Sequence, residues 1–170
     1  MMEESIALAT KIGQAREKYE SYESKCWTQV YFDNFSGGFN VYHKAHQFSQ
    51  IGGGGDAEKI VGRMLAECNG KQVEFLPEGG RKSPDFRFDG QTWDVKFIEK
   101  ANEETIRTHI RDAQKADNVI FYFGDSNKLK ELISAKIREV GRQAKNNTLM
   151  KMPNIYYLDE ARVLQLLWAK

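Results

Sequence analysis

The clearest pattern of apolar and polar positions lies between residues 84 and 97, where two alternating runs flank Asp89-Gly90. An Asp-Gly pair between alternating runs is typical of a two-residue type I′ hairpin. Because side chains alternate between the faces of a strand, this turn also predicts the register, in which Asp85 faces Asp94. The predicted apolar face consists of Phe86, Phe88, Trp93, Val95 and Phe97. The predicted polar face consists of Asp85, Arg87, Thr92, Asp94 and Lys96.

The pairing of Asp85 with Asp94 is the first candidate for chemistry. Directly opposed residues of a hairpin have Cβ atoms about 4.5–5.5 Å apart, and like charges placed there are destabilising. A divalent cation between the carboxylates would remove that repulsion, and hard oxygen ligands suit Mg²⁺ or Mn²⁺. Lys96 points to the same side, where its ammonium group could orient a water or offset charge on a phosphate. The alternative is an ordinary hairpin with a solvated polar face.

The chain before this hairpin alternates between helical and extended patterns. Apolar residues at helical spacing predict a helix over residues 3–25, and runs rich in β-branched and aromatic residues predict strands at 28–32 and 39–42. Four glycines at 52–55 lack the Lys-Ser/Thr pair of a phosphate-binding loop. They predict a hinge or a close backbone approach before the next helix.

That next helix carries the third acidic candidate. Asp56 is its expected N-terminal cap. Its expected buried stripe, at helical spacing, is Ala57, Ile60, Val61, Met64, Leu65 and Cys68. Glu58 lies on the shoulder of this stripe, from which it could point along the sheet edge toward Asp85.

The chain on either side of the hairpin predicts further elements in alternation. A strand is expected at 71–76, a helix from Asn102, and a strand buried on both faces at 119–123. Ser126 is the expected cap of a long basic helix, and a strand is expected at 155–158. A last helix is expected from Asp159, with Val163, Leu164, Leu167 and Trp168 as its apolar residues.

These elements predict an α/β fold with a mixed central sheet flanked by helices. At 170 residues the chain is most simply one folded unit. We expect residues 1–51 to form an N-terminal helix and β-hairpin extension packed on a core of residues 52–170.

Composition and charge narrow the function classes. Apolar residues make up 41% of the chain, the longest purely apolar run has five residues, and the N-terminus lacks the pattern of a signal peptide. We therefore expect neither disorder nor a membrane span.

Cys26 and Cys68 are expected to be buried or partly buried free thiols in a reducing compartment. Net charge is only +1, but residues 126–151 carry seven basic and two acidic side chains, which fits either a phosphate-binding surface or a solvated helix face.

Histidines add weaker candidates. His43 and His46 are three residues apart and could bind a metal if they were helical, or contact a phosphate or substrate. His109 follows the hairpin on the helix that begins at Asn102, from which it could approach a substrate.

The combination of Glu58 on a helix, Pro84-Asp85, a hairpin in this register and Asp94-Val95-Lys96 resembles the core of the PD-(D/E)XK nucleases. More closely, residues 58–123 are similar to the C-terminal nuclease domains of bacterial contact-dependent growth-inhibition toxins. They also resemble related domains of prophage and mobile-element proteins. Many toxin domains of that group cleave tRNA, whereas much of the wider superfamily cuts DNA. The resemblance implies a restriction-endonuclease-like core.

The resemblance also implies roles for the motif residues. Asp85 and Asp94 would hold Mg²⁺ or Mn²⁺, with the backbone carbonyl of Val95 as a further ligand. Glu58 would complete or polarise the metal shell, and Lys96 would position the attacking water. Glu78, in the loop before Asp85, is a rival for the role of Glu58.

Five residues beyond the motif are candidates for substrate contact. Gln114 is suggested because some superfamily members carry a glutamine on the helix after the core. The others are basic residues or histidine on the two helices after the hairpin: His109, Arg111, Arg138 and Arg142.

The sequence thus predicts a metal-dependent endonuclease, with RNA of tRNA type favoured over DNA as the nucleic-acid partner. As a toxin it would have a cognate immunity protein as a further partner and would act in the cytoplasm, delivered there into a target cell. Three alternatives stay open at this point. They are a DNA endonuclease of a phage or mobile element, a non-catalytic nucleic-acid-binding protein on the same fold, and a structural or partner-binding protein.

Overall fold

The hairpin occupies the middle of an eight-stranded mixed sheet in the computed structural model of the protein. The structure describes residues 1–22, 25–49, 53–79, 83–100, 102–113, 116–124, 128–145 and 151–170, the side chains of 128, 129 and 145 excepted. The helices are α1 (Met2–Ser21), α2 (Gly54–Asn69), α3 (Glu103–Asp112) and α4 (Lys128–Lys145). The strands are β1 (Trp27–Phe32), β2 (Phe39–His43), β3 (Gln72–Phe75), β4 (Phe86–Phe88), β5 (Gln91–Phe97), β6 (Asn118–Tyr122), β7 (Asn154–Leu158) and β8 (Leu164–Trp168).

The strands lie in the sheet in the order in which they occur in the chain, from β1 at one edge to β8 at the other. The pairs β2–β3, β5–β6 and β6–β7 are parallel, and the remaining pairs are antiparallel. Helices α2, α3 and α4 connect the three parallel pairs. This confirms the α/β class with a mixed sheet and flanking helices. The hairpin of β1 and β2 joins the same sheet through β3.

The register of the central hairpin is confirmed. Phe86 pairs with Trp93, Arg87 with Thr92, and Phe88 with Gln91. Both turn residues have positive φ, 52° at Asp89 and 71° at Gly90, as a type I′ turn requires.

Two apolar cores lie on opposite faces of the sheet. On one face, α2 packs against side chains from the central strands, which include Phe75, Phe86, Trp93 and Ile120. On the other face, α3 and α4 pack against Val119, Phe121, Ile155 and Tyr157. Ile106 and Ile110 of α3 and Ile133, Ile137 and Val140 of α4 are buried there. Residues of β5 thus have α2 on one side and α3 on the other.

Helix α2 differs from its prediction in where it begins and in which side it buries. Its N-cap is Gly53 in the left-handed conformation, and Asp56 lies inside the first turn without capping it. Ile60 is 41% exposed and Cys68 is exposed, whereas Glu58, Gly62 and Ala66 are buried. The buried side is rotated because Gly62 lies against the ring of Phe75, so the helix approaches the sheet through its small residues.

The C-terminal segment is a strand, so the helix predicted from Asp159 is wrong. A tight turn joins β7 to β8: the Asp159 carboxylate accepts a hydrogen bond from the Val163 amide, and Arg162 has a φ of 64°. The apolar residues at 164–168 instead pair with β7 and pack partly against the α4 side of the sheet.

Smaller predictions have mixed outcomes. Asn102 caps α3 as expected, because its side chain accepts a hydrogen bond from the Thr105 amide. Both cysteine side chains are exposed, which corrects the expected burial. Ser126, the expected cap of α4, lies outside the described residues. No helix in the described part of the chain has the length and apolar character needed to cross a membrane.

Candidate active site

The central hairpin brings Asp85 and Asp94 together through reciprocal hydrogen bonds. The Asp85 amide donates to Oδ1 of Asp94 at 3.2 Å. In return, Oδ2 of Asp85 accepts a hydrogen bond from the Val95 amide at 2.8 Å. Each carboxylate is therefore fixed by the backbone of the opposite strand. This arrangement follows directly from the register that the Asp89-Gly90 turn imposes.

Helix α2 adds a third carboxylate to this pair. Glu58 is only 3% exposed, and its carboxyl group forms a hydrogen bond with that of Asp85. The Ser49 amide donates to Oε2 of Glu58 at 3.2 Å. Glu78, the rival candidate, is exposed in the loop after β3, where its charge contributes to raising the pKa of Glu58. Geometry therefore favours Glu58 over Glu78 as the third acidic residue.

Burial raises the pKa of all three carboxylic acids, and the hydrogen bond with Asp85 partly offsets the rise at Glu58. Burial is the main cause at Asp94, whose pKa rises to about 6, and the charge of Asp85 raises it further. Burial and the neighbouring Glu58 raise the pKa of Asp85 well above its usual range. Burial also raises the pKa of Glu58. Asp94 is 6% exposed, so its carboxylate is not part of a solvated surface, whereas Arg87 on the same face of the hairpin is exposed.

Lys96 supplies the positive charge next to this cluster. Its Nζ lies 3.8 Å from Oδ2 of Asp94, and its side chain is 22% exposed, so the ammonium group remains accessible. Burial lowers the pKa of His109 on α3, and the charge of Lys96 lowers it further. His109 therefore presents a neutral imidazole near Lys96 at neutral pH.

Most of these groups border an open cleft of about 550 Å³ between α2, β5 and α3, and Asp94 contacts two of them, Asp85 and Lys96. Its lining includes Glu58, Asp85, Val95, Lys96 and His109. Such a volume is typical of ligand sites, and its polar groups converge on one side. A phosphate group that enters the cleft would meet Lys96 and the carboxylates together.

The other predicted substrate contacts lie elsewhere. Arg111 is exposed and 3.9 Å from the Asp112 carboxylate, and Arg142 pairs with Glu139 at 2.6 Å. Arg138 is exposed on α4. None of these three arginines lines the described part of the cleft. Gln114 lies outside the described residues.

The chemistry of the donor set fits a hard divalent cation. Its side-chain donors are carboxylate oxygens, and a bound cation would offset the repulsion that raises their pKa values. Within the described ranges, no group of three or more His, Cys, Asp or Glu side chains is placed to hold a metal ion by itself. A cation at Asp85 and Asp94, with Glu58 beside Asp85, would therefore need further ligands from backbone, water or substrate.

His46 has a place in this site that the sequence did not predict. Neither His43 nor His46 is helical, and the His46 side chain is 1% exposed, so a metal shared by the two or a phosphate contact at His46 is wrong. Its ring instead lies behind Glu58, with Nε2 3.7 Å from Oε1. The only nearby sequence feature that relates to this position is Phe48, two residues later, whose ring packs on the imidazole.

Comparison with known proteins gives one family match and one structural likeness. Residues 82–153 match the family model described as the contact-dependent growth inhibition CdiA C-terminal domain. No curated protein matches the chain. The fold is similar to a chain of the CdiA-CT/CdiI toxin and immunity complex from Burkholderia pseudomallei, with a TM-score of 0.50 and 21% sequence identity over 72% of this chain and 94% of that chain.

The family match covers the central hairpin, α3, β6 and α4, and so includes Asp85, Asp94 and Lys96. Glu58 and His46 precede the matched segment. The part of the chain that carries the hairpin carboxylates and Lys96 is thus similar to the contact-dependent growth inhibition CdiA C-terminal domain, on a fold like that of a chain in a toxin and immunity complex.

Proposed function

We propose that this protein is a toxin nuclease of PD-(D/E)XK type, a metal-dependent endonuclease that hydrolyses phosphodiester bonds in RNA. The observation that carries the proposal is the cluster of Asp85, Asp94 and Glu58 beside Lys96, of which Asp85, Glu58 and Lys96 line an open cleft. Carboxyl groups held this close together away from water lower the stability of a protein, and groups with perturbed pKa values of this kind are concentrated in functional sites. The match of residues 82–153 to a toxin domain family supports the same conclusion.

Each residue then has a definite task in hydrolysis. Asp85, Asp94 and the Val95 carbonyl would hold Mg²⁺ or Mn²⁺, with Glu58 beside Asp85. When bound, such a cation acts as a Lewis acid toward the phosphoryl oxygens. Lys96 orients the attacking water and places a fixed positive charge beside the phosphate as negative charge develops on it. His109, a neutral imidazole that lines the cleft near Lys96, offers a hydrogen bond to the substrate.

RNA is favoured over DNA by the charge on α4 and by the toxin resemblance. Arg138 and Arg142 lie on the exposed side of α4, and contacts of this kind grip the phosphate backbone without reading bases. A folded RNA recognised by its shape fits such a surface. A DNA endonuclease is the second candidate, since the same cluster would act on either backbone.

Toxicity further implies a protein partner and a site of action. The similar structure is a toxin and immunity complex, so we propose that a cognate immunity protein binds and inhibits this chain. The nuclease would act in the cytoplasm of a target cell, where tRNA is accessible.

Incubation of the purified protein with tRNA, single-stranded DNA and duplex DNA tests this function. We expect cleavage of tRNA with Mg²⁺ or Mn²⁺ and none with EDTA. Asp94→Asn is the matched inactive control, because asparagine keeps the size of the side chain and can still accept the Asp85 amide. Cleavage of duplex DNA alone would select the second candidate. Cleavage by Asp94→Asn at the wild-type rate would overturn the assignment of the site.

A further inference from the structure

The segment 46–49, which lies between β2 and α2, contacts both carboxylate oxygens of Glu58. Nε2 of His46 is 3.7 Å from Oε1, and the Ser49 amide donates to Oε2 at 3.2 Å. Glu58 in turn forms its hydrogen bond with Asp85. The segment therefore holds Glu58 through both carboxylate oxygens, and its Ser49 also lines the cleft.

The His46 ring is fixed in its own position. Nδ1 is 2.6 Å from the carbonyl oxygen of Leu76, and because a carbonyl only accepts, Nδ1 carries a hydrogen and donates it. The rings of Phe48 and Phe75 pack edge-to-face on the imidazole, with centroid distances of 4.7 and 5.3 Å. Among the described residues, buried Nε2 has no hydrogen-bond partner, and Glu58 is the group that it faces. A hydrogen bond between Nε2 and Oε1 of Glu58 requires a hydrogen on one of the two atoms and an approach closer than 3.7 Å.

The glycine run before Glu58 explains how the segment can lie so close to α2. A Cβ atom at Gly55 would lie 2.6 Å from the Ser49 carbonyl oxygen and 3.1 Å from Cβ of Phe48. At Gly54 it would lie 2.8 Å from Oγ of Ser49. The Gly55 amide donates to the same Ser49 carbonyl at 3.1 Å. Segment 46–49 therefore rests on the first turn of α2, directly before Glu58.

We propose that His46 is a positioning residue, which holds Glu58 against Asp85 as part of a clamp formed by segment 46–49 on Gly54 and Gly55. His46 acts through Glu58 and does not line the cleft. The inference rests on the proposed function, because the clamp matters only if Glu58 contributes to a cation site. Groups that orient a metal ligand in this way usually affect metal affinity or activity by about 10–100-fold.

Mn²⁺ affinity, measured by calorimetry on the full chain, tests the clamp without any substrate. We expect His46→Phe, which supplies an aromatic ring without either nitrogen, to weaken Mn²⁺ binding about 10-fold or more. With RNA, kcat should fall by a similar factor while KM is unchanged. His46→Gln should retain more of the Mn²⁺ affinity and more of kcat than His46→Phe, because its amide can still reach Glu58. Gly55→Ala should weaken Mn²⁺ binding as well, whereas Gly79→Ala, with no atom within 4 Å of the added Cβ, should not.

A double variant separates positioning from a general effect on the fold. In a Glu58→Gln background, His46→Phe should have almost no further effect on Mn²⁺ affinity, since the group that it positions has been changed. The inference is overturned if the loss is the same in both backgrounds, or if the wild-type protein binds no Mn²⁺. A protein that binds Mn²⁺ with these dependences but cuts no nucleic acid overturns the proposed function and leaves the clamp intact. If His46→Phe fails to fold, His46→Gln and Gly55→Ala decide, with thermal unfolding as the check.

Discussion

Asp94 is almost completely buried, yet it lies beside another carboxyl group, and the positive charge described near it is Lys96, at 3.8 Å. Its pKa in the folded protein is about 6, against an ordinary value of 3.8. The folded state therefore binds this proton more tightly than the unfolded state does, and stability is lost as pH rises from about 4 to above 6. In the metal-free protein, the charge on Asp94 therefore lowers the free energy of unfolding at neutral pH.

Asp94→Asn should remove this cost. We expect the metal-free variant to melt at the wild-type temperature near pH 4 and about 5 °C or more above it at pH 8, because asparagine does not ionise. Differential scanning calorimetry in EDTA at both pH values measures the difference. A variant that melts below the wild type at pH 8 would mean that Asp94 stabilises the fold and is not strained by its neighbours.

Lys96 should act on the rate of cleavage and leave metal binding unchanged. We expect Lys96→Ala to lower kcat by roughly 10²-fold or more, the usual loss when one preorganised charged group is removed from a transition state. Lys96→Arg should recover only part of this, because a planar guanidinium does not replace a compact ammonium group. Single-turnover cleavage measures the effect on the rate, and Mn²⁺ titration measures the effect on metal binding. Full activity in Lys96→Ala would assign the orientation of water to another group.

At the scale of the elements, α2 places Glu58 next to Asp85 of the central hairpin. Its approach to the sheet depends on Gly62, where an added Cβ would lie 2.4 Å from Cζ of Phe75. Phe75 cannot yield easily, since the rings of Tyr42 and Phe86 pack on it with centroid distances of 4.3 and 4.4 Å.

Gly62→Ala should therefore destabilise the protein, although alanine normally favours a helix by about 1 kcal/mol. Overpacking of a rigid core costs about 1–3 kcal/mol, so we expect the melting temperature to fall by roughly 2–8 °C. Gly13→Ala is the matched control, because Gly13 also lies within a helix and has no atom within 4 Å of the added Cβ. It should melt at or slightly above the wild-type temperature. If Gly62→Ala and Gly13→Ala changed the melting temperature equally, the close packing of α2 on Phe75 would be contradicted.

Local chemistry explains which elements the sequence could predict. The hairpin register follows from two adjacent residues, Asp89 and Gly90, and the turn places Asp85 opposite Asp94 without help from the rest of the fold. The last strand was not predictable in this way. Its apolar residues also satisfy helical spacing, and the turn before it has Arg162, not glycine, in the left-handed conformation. Pairing with β7 decides the outcome, and that interaction is non-local.

The same distinction applies to the candidate site. Asp85, Asp94, Val95 and Lys96 could be placed relative to one another from the sequence, because they share one hairpin. The burial of Glu58 depends on the rotation of α2 over Gly62, and the contact of His46 with Glu58 depends on Leu76 and Phe75 from another strand. Such contacts bring together distant parts of the chain, and no short-range pattern encodes them.

For the molecule as a whole, the basic surface of α4 should govern affinity and leave the position of cleavage unchanged. We expect the double variant Arg138→Ala and Arg142→Ala to weaken tRNA binding and to reduce its salt dependence by up to about two phosphate contacts. Arg138 should contribute more, because Arg142 already pairs with Glu139. Filter binding over a range of salt concentrations measures the slope.

The control for this prediction removes the same charge from another helix. Lys11 and Lys18 are exposed on α1, and Lys11→Ala with Lys18→Ala changes the net charge by the same amount. If both double variants shift the salt dependence equally, then the overall charge of the protein attracts RNA and α4 has no special part.

The order of the strands also determines how the fold can come apart. Since β1 to β8 follow one another across the sheet as they do along the chain, the first and last of these strands lie at its two edges. A pull on the chain before β1 would act first on α1, which packs on β1, and then on β1 and β2 in turn, so that it would always act on the outermost strand. No strand would have to be extracted from between two neighbours. A sheet with this arrangement can be taken apart one strand at a time from either edge.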